Sequence, residues 1–338
     1  MAKRFATALA YALASANLEH RAGFEPASSL DTQRSLANWT RGCAKRFAWK
    51  FDLRNNLALI PKQGGNMQSS TVTGADGVKL HVDETGNRSG RPIVFIHGLS
   101  QSRLSWSKQL DSDLSRDFRL VAYDLRGHGL SDKPNDGYTD SKVWADDLKA
   151  VLDELQLDNA VLVGWSYGPL VILDYIRHYG EDGIGGSNMV GGVSKLGSDE
   201  AMAVLTPEFI SLVPGFFSED PDEGKRSLGE LIRLCFAKRL SDVEFNAMLE
   251  QSVSVPYYVR QGLLSRAFDN DDLLPKLQKP VLITHGAKDA VVKPVAAEQH
   301  KSAIPKAELH MVENAGHAAF WDDAANYNAR LRTFCENL

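Results

Sequence analysis

The chain has 338 residues, enough for one large α/β domain with an insertion or for two ordinary domains. Its 43% hydrophobic and 24% charged residues are ordinary globular values, which argues against a fibrous or disordered protein. A net charge of -5 gives no basic footprint for nucleic acid and no reason to expect an anionic membrane partner, and no apolar run is long enough to span a bilayer. Cys43, Cys235 and Cys335 are far apart, with no CxxC or Cys/His cluster. They read as small buried side chains rather than disulfide partners or metal ligands, so no metal site is expected.

Residues 1–66 differ from the rest. They carry ten Lys/Arg against four Asp/Glu, net +6, and leave 28 against 39 in the remainder, net -11. Such a sign asymmetry marks a boundary. Three readings compete. Lys3-Arg4, the Ala-rich run that follows and Ala14-Ser15-Ala16 have the layout of a secretory signal, although the apolar stretch is mostly Ala. A helical arm packed on the domain or on a partner is the second. The third is a native start at Met67, because codons for Lys62-Gln63-Gly64-Gly65-Asn66 can spell a purine-rich ribosome-binding site. A cytoplasmic location is expected, or a secreted or periplasmic one if residues 1–16 act as a signal.

From Met67 onward, strand-like and helix-like segments alternate, the pattern of an α/β fold with a mostly parallel sheet covered by helices on both faces. Residues 70–73 and 78–82, joined by Ala75-Asp76-Gly77, read as an opening hairpin. Residues 92–96 are a short apolar run of the buried-strand type, ending at His97-Gly98. Residues 105–114 have helical spacing, 118–123 form the next strand, and 142–155 make a helix with an acidic outer face. Residues 160–164 are a strand and 170–179 an apolar helix. The next strand should lie within 185–194, although Gly185, Gly186, Ser187 and Asn188 weaken the pattern. Residues 280–284 and 307–312 are strands, and 324–334 a closing helix.

Between about 198 and 272 the alternation stops. Residues 212–217, 228–236 and 243–249 read as short helices with no strand between them, and so long an insertion is not expected to be bare loop. A helical lid over the C-terminal edge of the sheet is the reading adopted. The core then comprises 67–197 and 273–338, with 1–66 as an N-terminal extension.

The chemistry concentrates in Gly164-Trp165-Ser166-Tyr167-Gly168, set between an apolar strand and an apolar helix. A sharp strand-to-helix turn there lifts the Ser166 hydroxyl out of the sheet, and the glycines avoid Cβ clashes. Pro169 fits a first helical turn, which has no backbone donor to lose. A serine hydroxyl needs a base, and the base an orienting acid. His317 follows the 307–312 strand in Asn314-Ala315-Gly316-His317, and Asp289 follows the 280–284 strand in His285-Gly286-Ala287-Lys288-Asp289. Asp199 and Glu200 are the reserve acids. For a developing oxyanion, the backbone N–H groups of Tyr167 and Leu99 are the candidate donors, with Ser100 as the reserve.

With these pieces in place, residues 91–338 resemble the α/β-hydrolase superfamily, in its lid-bearing esterase and cofactor-free haloperoxidase-like branch. The resemblance is carried by His97-Gly98, the run Tyr123-Asp124-Leu125-Arg126-Gly127-His128-Gly129-Leu130-Ser131-Asp132, the Ser166 turn, Gly286 to Asp289 and Asn314 to His317. It implies the α/β-hydrolase fold, an acyl-enzyme route on small-molecule esters, no cofactor, and a structural rather than chemical role for His128 and Asp132. Pro169, where a small residue is usual, and the weakly apolar stretch 185–188 depart from the pattern.

Trp165 is read either as a pocket wall or as core, and Trp106, Trp144 and Trp321 as packing. Phe216 and Phe217 are candidates for the acyl pocket, as are Tyr257 and Tyr258. The leading functional reading is a carboxylic ester hydrolase for small to medium acyl chains, with lactonase or perhydrolase activity possible on the same residues. A dehalogenase or epoxide hydrolase would need a carboxylate at 166. A non-catalytic receptor that keeps the fold is the rival from another class.

Overall fold

The computed structural model describes residues 67–266 and 268–338. The three readings of residues 1–66, and Cys43, lie outside the described residues. The sheet is built from β1 (Gln68–Thr73), β2 (Lys79–Gly86), β3 (Pro92–Ile96), β4 (Arg119–Tyr123), β5 (Ala160–Trp165), β6 (Ile184–Val190), β9 (Val281–Gly286) and β10 (Ala307–Val312), in the spatial order β1-β2-β4-β3-β5-β6-β9-β10. The β1–β2 and β2–β4 pairs are antiparallel and all others parallel. The chain leaves β3 towards β4 on one side and returns to β5 on the other. This reversal opens a crevice at the C-terminal strand ends, where ligands bind in open α/β sheets.

The apolar runs read from the sequence form the middle of this sheet. Ile93, Val94, Phe95 and Ile96 of β3 and Val161, Leu162 and Val163 of β5 are fully buried, as strands covered on both faces must be. The registers Ile96↔Gly164, Trp165↔Val190, Val190↔Thr284 and Gly286↔Val312 bring the strand ends into line. The loops starting at residues 97, 166, 191, 287 and 313 therefore leave the same edge, although they are spread over more than 200 residues.

Helix α1 (Ser107–Leu110) replaces the longer helix expected over 105–114. It is flanked by 3-10 turns at Arg103–Trp106 and Asp113–Arg116. The cause is serine chemistry: Ser102 and Ser112 accept from Leu104 N and Leu114 N, local bonds that compete with a continuous helix. Helix α2 (Ser141–Glu154) is capped by Asp140 and packs against α3 (Gly168–Tyr179). The glycines that weaken β6 have a packing cause. A Cβ on Gly185 would lie 2.9 Å from Asn159 O, and one on Gly186 2.8 Å from Pro280 O.

Between β6 and β9 the chain forms α4 (Asp199–Ala203), α5 (Pro207–Phe216), α6 (Pro221–Cys235), α7 (Asp242–Val253) and α8 (Tyr257–Leu264). Ser198, Thr206, Asp220 and Ser241 cap the first four, Ser241 and Glu244 as a reciprocal capping box. As expected, no strand lies between α5, α6 and α7. Lys195–Leu196 (β7) and Phe268–Asp269 (β8) pair as a short antiparallel ribbon at the neck of the insertion, too brief to show a period in sequence. Helices α9 (Val295–Ala303), α10 (Ala319–Asp322) and α11 (Ala324–Glu336) complete the core, α9 packing on β9 and β10. Among the described residues no helix is long and apolar enough to cross a membrane.

Pro169, the departure from the family pattern, is matched across the core. A Cβ on Gly192 would come 2.6 Å from Pro169 Cγ and 3.0 Å from its Cβ. Gly192→Ala should therefore overpack the site by about 1–3 kcal/mol. Pro169→Gly should remove most of that cost, a coupling that urea unfolding of the two single variants and the double variant measures. Additive effects would show that the two positions do not share the space.

Candidate active site

Strand β5 delivers Ser166 at its end. The serine adopts φ +58, a left-handed conformation that L-residues rarely take and that costs roughly 1 kcal/mol or more. Its neighbours make room for it. A Cβ on Gly164 would lie 2.5 Å from Gly168 C, and one on Gly168 2.6 Å from Ile96 O. The Ser166 N–H donates to Val190 O at 2.9 Å, and Ser166 is half-buried where the residues on either side are buried.

Asp289 and His317 come from the neighbouring strands β9 and β10. Where β9 ends, a Cβ on Gly286 would meet Gly316 O at 2.0 Å and Ala315 O at 2.4 Å, so only glycine lets the two loops touch. His317 Nδ1 lies 2.8 Å from Asp289 Oδ2. The other oxygen, Oδ1, accepts from Val291 N–H and Val292 N–H at 2.8 and 2.9 Å. A second histidine joins them: His285 Nε2 is 3.1 Å from Asp289 Oδ2 and 2.9 Å from Val292 O. Because a backbone carbonyl only accepts, this nitrogen carries hydrogen. Burial by itself would push the Asp289 carboxyl up. The attraction of the His317 ring when it is protonated and the hydrogen bonds from His285 and His317 outweigh it and hold the group well below the usual carboxylate range.

With Nδ1 donating to the carboxylate, Nε2 is the ring nitrogen left to accept a proton. It is buried and has no hydrogen-bond partner among the described residues. Gly191, at φ +54, passes beneath the ring, where a Cβ would sit 3.0 Å from Nδ1. Val190, which accepts from Ser166, directly precedes it, so serine and histidine flank the same end of β6. Trp165 is 3% exposed, its indole N–H donates to His317 O at 3.0 Å, and its ring packs edge-on against Phe320 at 5.1 Å.

The loop after β3 is held by two buried histidines. Leu125 N–H donates to His97 Nε2 at 3.0 Å, which leaves Nδ1 to carry the hydrogen and donate to Gly98 O at 2.8 Å. His128 Nδ1 donates to Arg126 O at 2.9 Å, and its Nε2 accepts from Ser100 N–H at 3.3 Å. Each ring must be neutral to serve this pattern. Burial pushes His97 down to about 4 and His128 well below its ordinary value. The Ser100 N–H is thereby committed to His128, which withdraws the reserve oxyanion donor. No hydrogen bond to the N–H of Leu99 or of Tyr167 is found among the described residues. The two loops meet closely, since a Cβ on Gly98 would come 3.0 Å from Ser166 Cβ.

Asp199 and Glu200 occupy the first turn of α4, and the Nδ1 of His317 is taken by Asp289. Phe216 is buried in the insertion, 6.1 Å from the Phe209 ring, with its carbonyl accepting from Arg260, and Phe217 is 8% exposed. His285 was passed over in the sequence, although it stands in the motif that carries Asp289.

The neutral state of His97 has a thermodynamic consequence. An unfolded histidine titrates near 6.5 and folded His97 at about 4, so between these values only the unfolded chain binds the proton. The stability is complete above 6.5 and is lost as pH falls towards 4, by on the order of 3 kcal/mol for this group. Urea unfolding against pH should show the decline, and His97→Gln should remove close to one proton from its slope whatever it does to absolute stability. An unchanged slope would mean that His97 is not held neutral.

Residues 91–324 match the alpha/beta hydrolase fold family. The chain is 31% identical over 268 residues to the AB hydrolase superfamily protein YisY of Bacillus subtilis, covering 76% of this chain and 95% of that one. It is 32% identical over 260 residues to the bifunctional esterase/perhydrolase DCH of Acinetobacter calcoaceticus, covering 69% and 86%. Among solved structures, esterase RhEst1 from Rhodococcus sp. ECU1013 superposes with a TM-score of 0.75 at 37% identity, over 80% of this chain and 99% of the other. With the strand order and the Ser166 turn already in place, the match over most of the sheet means that this chain belongs to the alpha/beta hydrolase fold family.

Proposed function

We propose that the protein is a carboxylic ester hydrolase that works through an acyl-enzyme. The observation that carries the reading is the state of His317. One nitrogen is bound to a buried carboxylate, and the other is buried without a partner at the strand edge where Ser166 stands. In this reading His317 Nε2 takes the hydroxyl proton as Ser166 Oγ attacks the ester carbonyl carbon. The negative charge moves to the carbonyl oxygen, which accepts hydrogen bonds from the N–H groups of Leu99 and Tyr167. The carbon–oxygen bond to the alcohol then breaks, and the alcohol leaves with the proton from His317. Water attacks the acyl-enzyme by the same route and releases the acid. Asp289 fixes the ring and stabilises the imidazolium formed in each half.

Similarity to an esterase of known structure and to a bifunctional esterase/perhydrolase supports this substrate class. The second of these favours an additional reading in which hydrogen peroxide replaces water as acceptor of the acyl group, since the acyl-enzyme is the same. The absence of a bond between Ser166 and His317 is no obstacle, because such bonds often close only around substrate.

Ser166→Ala should reduce hydrolysis of a p-nitrophenyl ester by a factor on the order of 10⁶. A tenth of the wild-type rate in a preparation free of other esterases would remove Ser166 from the mechanism. Asp289→Asn should leave the fold intact and reduce kcat by on the order of 10⁴, through the wrong histidine tautomer.

The helical insertion supplies the acyl side as a lid. Leu228, Leu231, Ile232 and Cys235 form the buried face of α6, and Phe216 and Phe217 close α5. Each acyl methylene buried there should add about 0.8 kcal/mol of binding until the space is filled. Activity should rise from acetyl to about butyryl or hexanoyl esters and fall for long chains. A flat profile to dodecanoyl, or activation by emulsified triglyceride, would contradict it.

A further inference from the structure

The insertion is hydrogen-bonded to every segment of the candidate site. Beside Asp289, Thr206 donates through its backbone to Val291 O at 3.0 Å and through its hydroxyl to Ala290 O at 2.7 Å. Just after Leu99, Ser102 Oγ donates to Gln251 Oε1 at 2.7 Å and Gln101 Nε2 to Ser252 Oγ at 2.8 Å. At the Ser166 turn, Arg266 donates to Tyr167 OH at 2.9 Å and to Asp174 at 2.7 Å.

The fourth contact surrounds His317. On its C-terminal side, Ala318 N–H donates to Cys235 O, the last residue of α6, at 2.9 Å. On its N-terminal side the bond runs through a carboxylate: Asp322 Oδ2 accepts from Gly316 N–H at 2.8 Å and from Ala237 N–H of the insertion at 2.8 Å. Lys238 Nζ donates to Asp322 O at 2.8 Å, which adds a second strap from the same stretch. The fit is close, since a Cβ on Gly316 would lie 2.8 Å from Ala237 N and 3.0 Å from Cys235 O. Asp322 sits at the end of α10, is 9% exposed, and touches neither Ser166 nor the His317 ring by hydrogen bond.

We propose that Asp322 is a positioning residue for His317, through which the insertion sets the place of the base relative to Ser166. The inference rests on the reading of Ser166 and His317 as nucleophile and base. Asp289 holds the ring at Nδ1, but a ring held at one atom can still pivot and carry Nε2 out of line. What stops the pivot is the backbone, and the residues on both sides of His317 are bound to the insertion, one directly and one by Asp322. One oxygen accepts both N–H groups, so the requirement at 322 is an acceptor at that point rather than a negative charge.

The test uses the full chain with a p-nitrophenyl butyrate assay, and a fluorophosphonate to count competent sites. A misplacement of about 1 Å at a reacting group can cost on the order of 10²-fold, so Asp322→Ala should reduce kcat per titrated site by about tenfold to a hundredfold. KM should stay within about threefold, since no substrate contact is removed. Asp322→Asn keeps an amide oxygen where Oδ2 stood and should restore kcat to within about threefold of wild type. If the alanine variant does not accumulate, Asp322→Ser, too short to reach both N–H groups, gives the same comparison.

A purely structural role would lower the melting temperature and the fraction of titratable sites but leave kcat per site unchanged. That result overturns the proposal, as does an asparagine variant as slow as the alanine one. Mass spectrometry of the labelled wild type separates the two levels. A label on Ser166 with an unaffected Asp322→Ala overturns the role of Asp322 alone, whereas a label elsewhere overturns the reading of the site and this inference with it.

Discussion

A carboxylate taken out of water costs several kcal/mol unless its lone pairs are met by donors, and Asp289 is buried. Its donors come from separate stretches of chain: the turn at Val291 and Val292, the end of β9 at His285, and the loop after β10 at His317. The demand of one charge therefore fixes the geometry of that part of the edge. β9 and β10 must be neighbours, Gly286 must lack a side chain so that their loops can touch, and His317 must present Nδ1–H inward. Its free nitrogen then faces the site. His285 lies behind this arrangement, filling a position on Asp289 that would otherwise need water or another donor.

The opposite edge of the site is organised by the reverse principle, charge refused rather than charge satisfied. His97 and His128 are buried, and each donates from one nitrogen and accepts at the other. Only neutral imidazole can do both. They lock the loop after β3 to the Arg126–Asp132 loop, which is held in turn by the buried Arg126–Asp147 and Arg103–Asp124 pairs. The family motif His97-Gly98 and the motif running from Tyr123 to Asp132 are thus one unit in space. Its visible product is a backbone turn with Ser100 at φ +55.

Glycines and one proline carry the close contacts between these units. Pro169 lies in the first turn of α3, and Gly192 leaves the space that its ring fills. β6 holds Gly185 and Gly186 because backbone and carbonyl groups of its neighbours approach too closely for a Cβ. A sequence pattern that looks like a weak strand is in this place a tightly packed one.

Local chemistry was sufficient for much of this. The strand at 92–96 follows from an apolar run of the kind a buried strand uses, and it and the strand at 307–312 have the expected bounds. The turn at Ser166 is legible because a strand, two glycines and a helix-starting proline lie within ten residues. Asp289 and His317 were legible by their place after strands and by their order in the chain. Their pairing at 2.8 Å was decided by the sheet, whose register aligns Gly286 with Val312. The break of 105–114 into short turns, the ribbon at the neck of the insertion and the helix at Val295–Ala303 were not legible. Serine side-chain bonds and two-residue pairings leave no period to read. His285, Arg266 and Asp322 were also beyond reach, because their partners lie far away in the chain or the residue is hidden within a motif. Periodicity and turn chemistry are properties of neighbours along the chain. Which buried donor meets which buried acceptor is a property of the packed sheet, and the tertiary structure alone decides it.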